Sequence, residues 1–473
     1  MESDKVVSFE DLGINQTLVR QCAKIGITKP TSIQINCIPE ILAGKDCIAS
    51  AKTGSGKTLA FALPILQKFD ENPYGIFALI LTPTRELAIQ IKQQFDILGK
   101  EMVLKTCLVI GGMDMMYQSI ELDKCPHIVI ATPGRLADRL ESGPDTFTLM
   151  RIKFWVVDEA DRLLGGDYNE QMKTIANYLP KKRQSLFFSA TMTDILKILK
   201  TQTKNEAFEY EDKDDTSLAT VKQLDQYCVL IPPGEVRDGY LVQVIRNFRN
   251  KNTTGSIVIF TDTCHNCQLI SMTLNEIGFD NVALHGMKKQ RERAAALTSF
   301  KSNIVKILVA TGVAARGLDI QAVALVVNHV IPNVPKEYIH RVGRTARAGR
   351  SGQAISLVAP DEVNLVGAIE QIVGKKLEKM EVNDKEVLKI FKQVSLEKRK
   401  AKIELEESNF GEQKLKYKRK KLLEEGKSLE EIEEILGSKK RRKKEKNDDN
   451  LDKEEEEENK TKKKIKKKTI NKQ

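Results

Sequence analysis

A chain of 473 residues exceeds one ordinary hydrophobic core and suits two domains with additional sequence. Its hydrophobic content of 41% excludes wholesale disorder. Of the net charge of +11, +7 falls in residues 395–473, where 27 Lys and Arg stand among 20 Asp and Glu, so composition places the end of folded sequence before residue 400.

The chain starts with polar, acidic residues, and no apolar run approaches membrane-spanning length, so no membrane partner is expected. The eight cysteines are scattered and predict reduced thiols inside a cell; Cys264-His265-Asn266-Cys267 lacks a second pair at metal spacing and reads as structural. Short β-rich apolar runs then alternate with helical patterns, the mark of parallel α/β sheets. Strands are expected at Asp46–Ala51, Phe77–Leu81, Lys105–Ile110, His127–Ala131, Phe154–Val157 and Ser185–Phe188. A charged stretch, Glu209–Asp215, reads as a linker. A second series follows at Ser256–Phe260, Asn281–Leu284, Lys306–Val309, Leu325–Asn328 and Ala354–Val358, with helices such as Leu59–Lys68, Leu87–Leu98, Gln268–Ile277 and Arg291–Phe300 between strands. The expected fold is α/β: two tandem doubly wound parallel-sheet domains joined by a short linker, with a charged, mostly disordered C-terminal tail. The boundaries are 1–208, linker 209–222, second lobe 223–375 and extension 376–473.

In open parallel sheets ligands bind beyond the carboxyl ends of strands, and the unusual polar clusters fall there. Ala51-Lys52-Thr53-Gly54-Ser55-Gly56-Lys57-Thr58 follows a strand and opens a helix, so its amides and helix N-terminus can wrap phosphate. Lys57 reaches terminal phosphates and Thr58 ligates magnesium; Ala51 departs from the Gly usual at the first position. Asp158-Glu159-Ala160-Asp161 follows another strand, with Asp158 placed to hold magnesium and Glu159 to orient and deprotonate the attacking water. Asp161 caps the next helix or ties neighbouring loops together. In the second domain Arg344 and Arg347 stand three residues apart and suit charge building on a transferring phosphoryl group once the lobes close.

Thr82-Pro83-Thr84-Arg85 and Thr132-Pro133-Gly134-Arg135 share a design of strand end, Thr, Pro, small residue and Arg, which makes an anion site of amides and guanidinium. Gly111-Gly112 permits close backbone approach nearby. With aromatics at 5%, phosphate is the expected target, bound without sequence preference.

From about Ser8 to Gly374 the chain resembles a DEAD-box RNA helicase of superfamily 2. The matching stretches are Phe9 with Gly26–Gln34, Ala51–Thr58, Pro83–Ala88, Gly111-Gly112, Thr132–Arg135, Asp158–Asp161, Ser189-Ala190-Thr191, Ile259-Phe260, His285-Gly286 with Gln290 and Arg293, Ala314–Asp319 and His340–Arg347. The resemblance implies RecA-like lobes, ATP and Mg2+ as cofactors, and an adenine-recognition segment at 7–35 in which Gln34 reads the base edge and Phe9 stacks on it. It implies that Gly317 and Asp319 complete the nucleotide pocket. Ser189, Thr191 and Asp161 would couple nucleotide to RNA, and Thr84, Arg85, Gly112, Thr132, Gly134, Arg135, Gln290, Arg293 and Thr311 would contact RNA. The family usually carries Asp where Gly312 stands, a departure that touches the RNA contacts. Pro73–Phe77, Gly111–Met115 and Gln223–Gln226 resemble the nucleolar branch acting on small-subunit ribosomal RNA, which implies rRNA processing. The expected function is ATP-dependent RNA unwinding or ribonucleoprotein remodelling by a monomer, with a protein cofactor; an RNA clamp or assembly scaffold is the alternative. Basic blocks Lys439–Lys444 and Lys462–Lys468 flank acidic Glu454–Glu458 and suggest nuclear import or RNA tethering.

Overall fold

In the computed structural model the described residues are 7–51, 54–142, 147–166, 168–189, 207–212, 224–312, 323–345, 352–424, 431–433 and 435–436. The phosphate-loop residues Lys52 and Thr53, and Thr191, Gly317, Asp319 and Arg347, lie outside them, as do both basic blocks of the tail.

The first sheet is built from β1 (Cys47–Ser50), β2 (Ala78–Leu81), β3 (Thr106–Val109), β4 (Ile128–Ala131), β5 (Phe154–Asp158), β6 (Gln184–Ser189) and β7 (Phe208–Glu211), in the order β3-β4-β2-β5-β6-β1-β7. The second comprises β8 (Asp225–Leu230), β9 (Ile257–Thr261), β10 (Val282–Leu284), β11 (Ile307–Thr311), β12 (Leu325–Asn328), β13 (Gln353–Val358) and β14 (Glu378–Lys379), in the order β10-β11-β9-β12-β13-β8-β14. Counted from its own first strand, the second order repeats the first, and the pairings are parallel in both. Strands β1, β2, β4 and β5 are buried at every residue because helices cover both faces, which is why they read as unbroken apolar runs. The indole of Trp155 packs edge-on against Phe187 in this core.

Two elements differ from expectation. The start of the expected linker is strand β7, where Phe208 and Tyr210 alternate with exposed acids. It pairs with β1, and the Tyr210 hydroxyl meets Ser32 Oγ at 2.7 Å. Alternation over four residues on a sheet edge is a weak sequence signal beside so many charges.

The second lobe also runs past 375. A 24-residue helix, Asp384–Glu407, packs on the helices Arg237–Lys251 and Cys264–Glu276, and the compact unit extends to Ser408. Its Val387 and Val394, seven residues apart, enter the second core. Asp384 accepts from Tyr240 Oη at 2.6 Å, Glu386 from Gln243 at 2.7 Å, and Lys398 pairs with buried Asp238 at 2.6 Å. Desolvation would raise the Asp238 pKa, but His329 and Lys398 outweigh it and hold the carboxyl well below its usual range. A helix with so many charges hides a narrow apolar seam from composition, which averages over the faces. Ending the chain after Asn383 should therefore cost about 3 kcal/mol or more from the two valines alone, lowering Tm by roughly 6–12 °C. Ending it after Ser408 keeps these contacts, so equal melting of the two truncated chains would contradict the packing assigned to this helix. The unit from Asn409 onward contains the helix Phe410–Glu424. Among the described residues, no helix is long and apolar enough to cross a membrane.

Candidate active site

The phosphate loop leaves β1 and turns into the helix Lys57–Glu71, with Gly54 and Gly56 at φ +90° and +92°, a region that side chains with a Cβ rarely adopt. The Lys57 ammonium donates to the carbonyl oxygens of Ala51 and, at 3.2 Å, of Ser189, joining the loop to the end of β6. Thr58 follows in the first helical turn. Among the described residues, buried Ser55 Oγ has no hydrogen-bond partner, so it keeps its hydrogen-bonding capacity.

The adenine-recognition segment holds this loop directly. Gln34 Oε1 accepts from Thr31 N at 2.9 Å, Gln34 Nε2 donates to Gly56 O at 3.0 Å, and Thr31 Oγ1 donates to Ser55 O at 2.7 Å. An amide has two donor hydrogens and two acceptor lone pairs, so each end of Gln34 keeps one site beyond these bonds. Phe9 is placed differently from the stacking role. It is 1% exposed and packs with Leu12, Ile14, Leu18 and Ile33 in the first core, so its ring faces protein. An aromatic ring shortly after a polar start gives no sign of its burial until the helices that cover it are in place.

Asp158 ends β5 and is 4% exposed, with Oδ1 accepting from Glu159 N at 3.0 Å. Burial pushes its carboxyl up to about 6, Lys57 pulling it down and Glu159 and Asp161 pushing it further up. Glu159 adopts a left-handed conformation, φ 50°, uncommon for a residue with a side chain and typical of strained functional turns. Arg162, one turn on, pairs with Glu159 at 3.4 Å and fixes its carboxylate; the sequence reading missed it. Asp161 is half-buried in the short helix Ala160–Leu163. The Asp158 carboxylate feels the Lys57 ammonium, and Thr58 stands next to Lys57 in the helix, a set of hard oxygen donors and a cation whose chemistry suits a divalent metal and phosphate. In the metal-free chain a protonated Asp158 no longer attracts a cation, so divalent-cation affinity should fall as pH drops through about 6. For stability the sign reverses: the raised pKa means that ionising Asp158 above that pH opposes folding, and acid relieves it. A divalent-cation affinity unchanged between pH 7 and 5 would contradict this.

The two Thr-Pro segments differ in detail. Thr84 caps the helix Arg85–Leu98, accepting from Leu87 N at 3.4 Å, so Pro83 lies outside the helix. Pro133 is instead the first residue of the helix Pro133–Ser142, with Thr132 just before it and Gly134 just after. The Arg85 guanidinium lies on the glycine pair: a Cβ on Gly111 would come within 2.8 Å of Nη2, and one on Gly112 within 2.6 Å of Nη1. Arg135 donates to Met113 O at 3.1 Å, and burial together with nearby Arg85 lowers its pKa. Two guanidinium groups gathered over a glycine backbone make a phosphate-sized demand for anion.

Gln290 and Arg293 were expected to face RNA. Their side chains cross to the first lobe: Glu86 Oε1 accepts from Gln290 Nε2 at 3.1 Å, and Glu86 Oε2 pairs with Arg293 at 2.7 Å, all three residues being buried. A buried guanidinium needs a carboxylate more than a solvated phosphate, and Glu86, one residue past Arg85, supplies it. Nothing local to Glu86 announces this. In the second lobe Thr311 ends β11 and is 7% exposed. Arg344 is 2% exposed, its Nε donating to His340 O at 3.2 Å beyond the helix Pro335–Val342. Ser189 is buried at the end of β6. Cys267 lies buried with its thiol toward Val309 O at 3.3 Å, and burial pushes it up to about 12, far from a reactive thiolate.

Family models for the DEAD/DEAH box helicase and for the helicase conserved C-terminal domain match residues 31–198 and 239–349. The chain is 52% identical to the Homo sapiens protein described as "Probable ATP-dependent RNA helicase DDX49" over 425 residues, covering 89% of this chain and 87% of that one. It is 46% identical to the ATP-dependent RNA helicase dbp8 of Schizosaccharomyces pombe over 428 residues, covering 89% and 94%. Among solved structures it is similar to Mss116p bound to ssRNA and AMP-PNP, with TM-score 0.72, 29% identity and 82% of each chain covered. It is also similar to S. cerevisiae Dbp5 bound to RNA and ADP BeF3, with TM-score 0.69, 28% identity, and 82% and 99% covered.

Proposed function

The chain belongs to the DEAD-box family of ATP-dependent RNA helicases, and on that premise we propose how its residues divide the work and which RNA it serves. Lys57 and the loop amides hold the phosphates, while Thr58 and Asp158 would hold magnesium, which neutralises charge on the transferring phosphoryl group when bound. Glu159, braced by Arg162, orients the attacking water and takes its proton. Arg344, with Arg347, meets the charge that develops on the phosphoryl group, and Gly317 and Asp319 complete the pocket. Gln34 reads the adenine edge with its remaining donor and acceptor while its other two bonds carry base recognition to Gly56. Arg85, Arg135 and the helix ends around Thr84, Gly112, Thr132 and Gly134 take the RNA phosphates, with Thr311 on the second lobe. Ser189, bonded to Lys57, joins Thr191 and Asp161 in coupling the two sites.

The observation that supports this most is the Glu86 bridge, because it ties an RNA-site helix of one lobe to the other lobe when both are together. The substrate proposed is pre-ribosomal RNA in the nucleus and nucleolus, supported by the likeness to DDX49 and dbp8 and by the basic tail. The protein acts as a monomer, with a protein cofactor that sets its rate. ATP turnover measured with and without single-stranded RNA, followed by crosslinking in cells, tests this reading. Turnover should rise with RNA, and the crosslinked RNA should be enriched in ribosomal precursors. RNA-independent turnover would overturn the residue scheme, and crosslinks spread over messenger RNA would overturn the substrate.

A further inference from the structure

Gly312 follows β11 directly and is buried at the carboxyl edge of the second sheet. A Cβ placed on it would collide with Glu337 Oε1 and stand 3.2 Å from Glu337 Cδ and 3.3 Å from Arg341 Nη2. Glu337 thus folds its carboxylate back from the first turn of the helix Pro335–Val342 into the space that a side chain at 312 would fill. There it pairs with Arg341 Nη2 at 3.1 Å.

Arg341 sits among the ends of three strands. Its Nη1 donates to Val330 O, two residues past β12, at 2.8 Å; its guanidinium stands 5.4 Å from the Phe260 ring centroid on β9; and Gly312 extends β11. Arg341 is 6% exposed, so its charge needs a fixed partner, and Glu337 places a carboxylate on it. An acid in a first helical turn paired four residues on is ordinary on a solvated helix, where it contributes little. Here the pair is turned inward onto a strand end, and one turn beyond it stands Arg344.

We propose that Glu337 is a positioning residue for ATP hydrolysis: seated in the space that Gly312 leaves, it pins Arg341 and so fixes the helix turn that presents Arg344 while tying that turn to Thr311. The family's usual Asp at 312 would put a carboxylate on the same guanidinium from the strand side. This chain supplies it from the helix, and Gly312 is the complement that makes room. The inference rests on the role given above to Arg344.

The full chain is assayed for RNA-stimulated ATP turnover as Gly312→Ala, Glu337→Ala, Gly312→Asp and the double variant Gly312→Asp/Glu337→Ala. Gly312→Ala leaves Glu337 in the sequence and only displaces its carboxylate, so it reports position without removing charge. Both it and Glu337→Ala should lower kcat roughly 10- to 100-fold while moving KM for ATP by less than about 3-fold, since a misplaced group acts on the transition state. Gly312→Asp alone should also be slow, with two carboxylates crowding one guanidinium. The double variant restores a single carboxylate and should return kcat to within about 3-fold of wild type. Full activity in Gly312→Ala overturns the proposal. So does a double variant as slow as the singles with wild-type melting, or singles that melt lower yet keep kcat, which marks a merely structural pair. Should Glu337→Ala fail to fold, Gly312→Ala and the double variant decide alone. A wild type without RNA-stimulated turnover would instead sink the functional reading itself.

Discussion

Replacing Glu159 with Gln should slow ATP turnover by at least about two orders of magnitude while ATP and RNA still bind. Gln has the same size and can still accept from Arg162, so the turn after β5 keeps its shape, including the left-handed backbone at 159. It has no basic oxygen to take the proton of the attacking water. Asp158 does not replace it, because its carboxylate is buried and already engaged by Glu159 N. Single-turnover hydrolysis and equilibrium binding of a fluorescent ATP analogue, measured on the same preparation, separate the two effects. A variant that binds normally and turns over normally would move the base to another residue. One that loses binding would make Glu159 part of the nucleotide seat.

Glu86→Ala should remove most of the mutual reinforcement between ATP and RNA binding. Both carboxylate oxygens are used, one by Gln290 and one by Arg293, and the contact bridges the lobes. Truncating Glu86 leaves the Arg293 charge buried without that partner, which costs about 3–5 kcal/mol and falls entirely on the arrangement in which the lobes meet. Coupling between ligands that each favour this arrangement is typically ~5–150-fold, so a penalty of this size is enough to abolish it. The RNA dissociation constant, measured with and without a non-hydrolysable ATP analogue, gives the factor. It must equal the factor by which RNA tightens the analogue, because linkage is reciprocal. ATP binding by the phosphate loop should change little. Exchanging the charges, Glu86→Arg with Arg293→Glu, should recover part of the coupling. An unchanged factor in Glu86→Ala would show that the bridge carries no coupling.

Much of this molecule is legible from contiguous residues. Unbroken apolar runs of four to six residues followed by Gly, Thr or acidic clusters predicted strand after strand, because burial on both faces demands an apolar residue at every position. The phosphate loop and the Asp158–Asp161 turn were legible for a related reason: positive φ, amide exposure and helix-end charge are local demands met within eight residues or fewer. The parallel topology of two lobes follows from the alternation itself.

What only the tertiary structure decided involves partners far apart in the chain. Glu86 and Arg293 are separated by about two hundred residues, and no spacing rule links them, so the sequence that reads Gln290 and Arg293 as RNA ligands gives no sign of their bonds to Glu86. Phe9 looked available for a base and is covered by helices that follow it. The helix Asp384–Glu407 looked like charged tail, since its stabilising seam occupies one narrow face, its ion pair needs Asp238, and its hydrogen bonds need Tyr240 and Gln243 beside it. Gly312 looked like a lost carboxylate, and the folded chain places Glu337 over it. In each case the deciding quantity is the free energy of burying a ring or a charge. That energy depends on which groups meet in space, and the order of residues along the chain does not encode it locally.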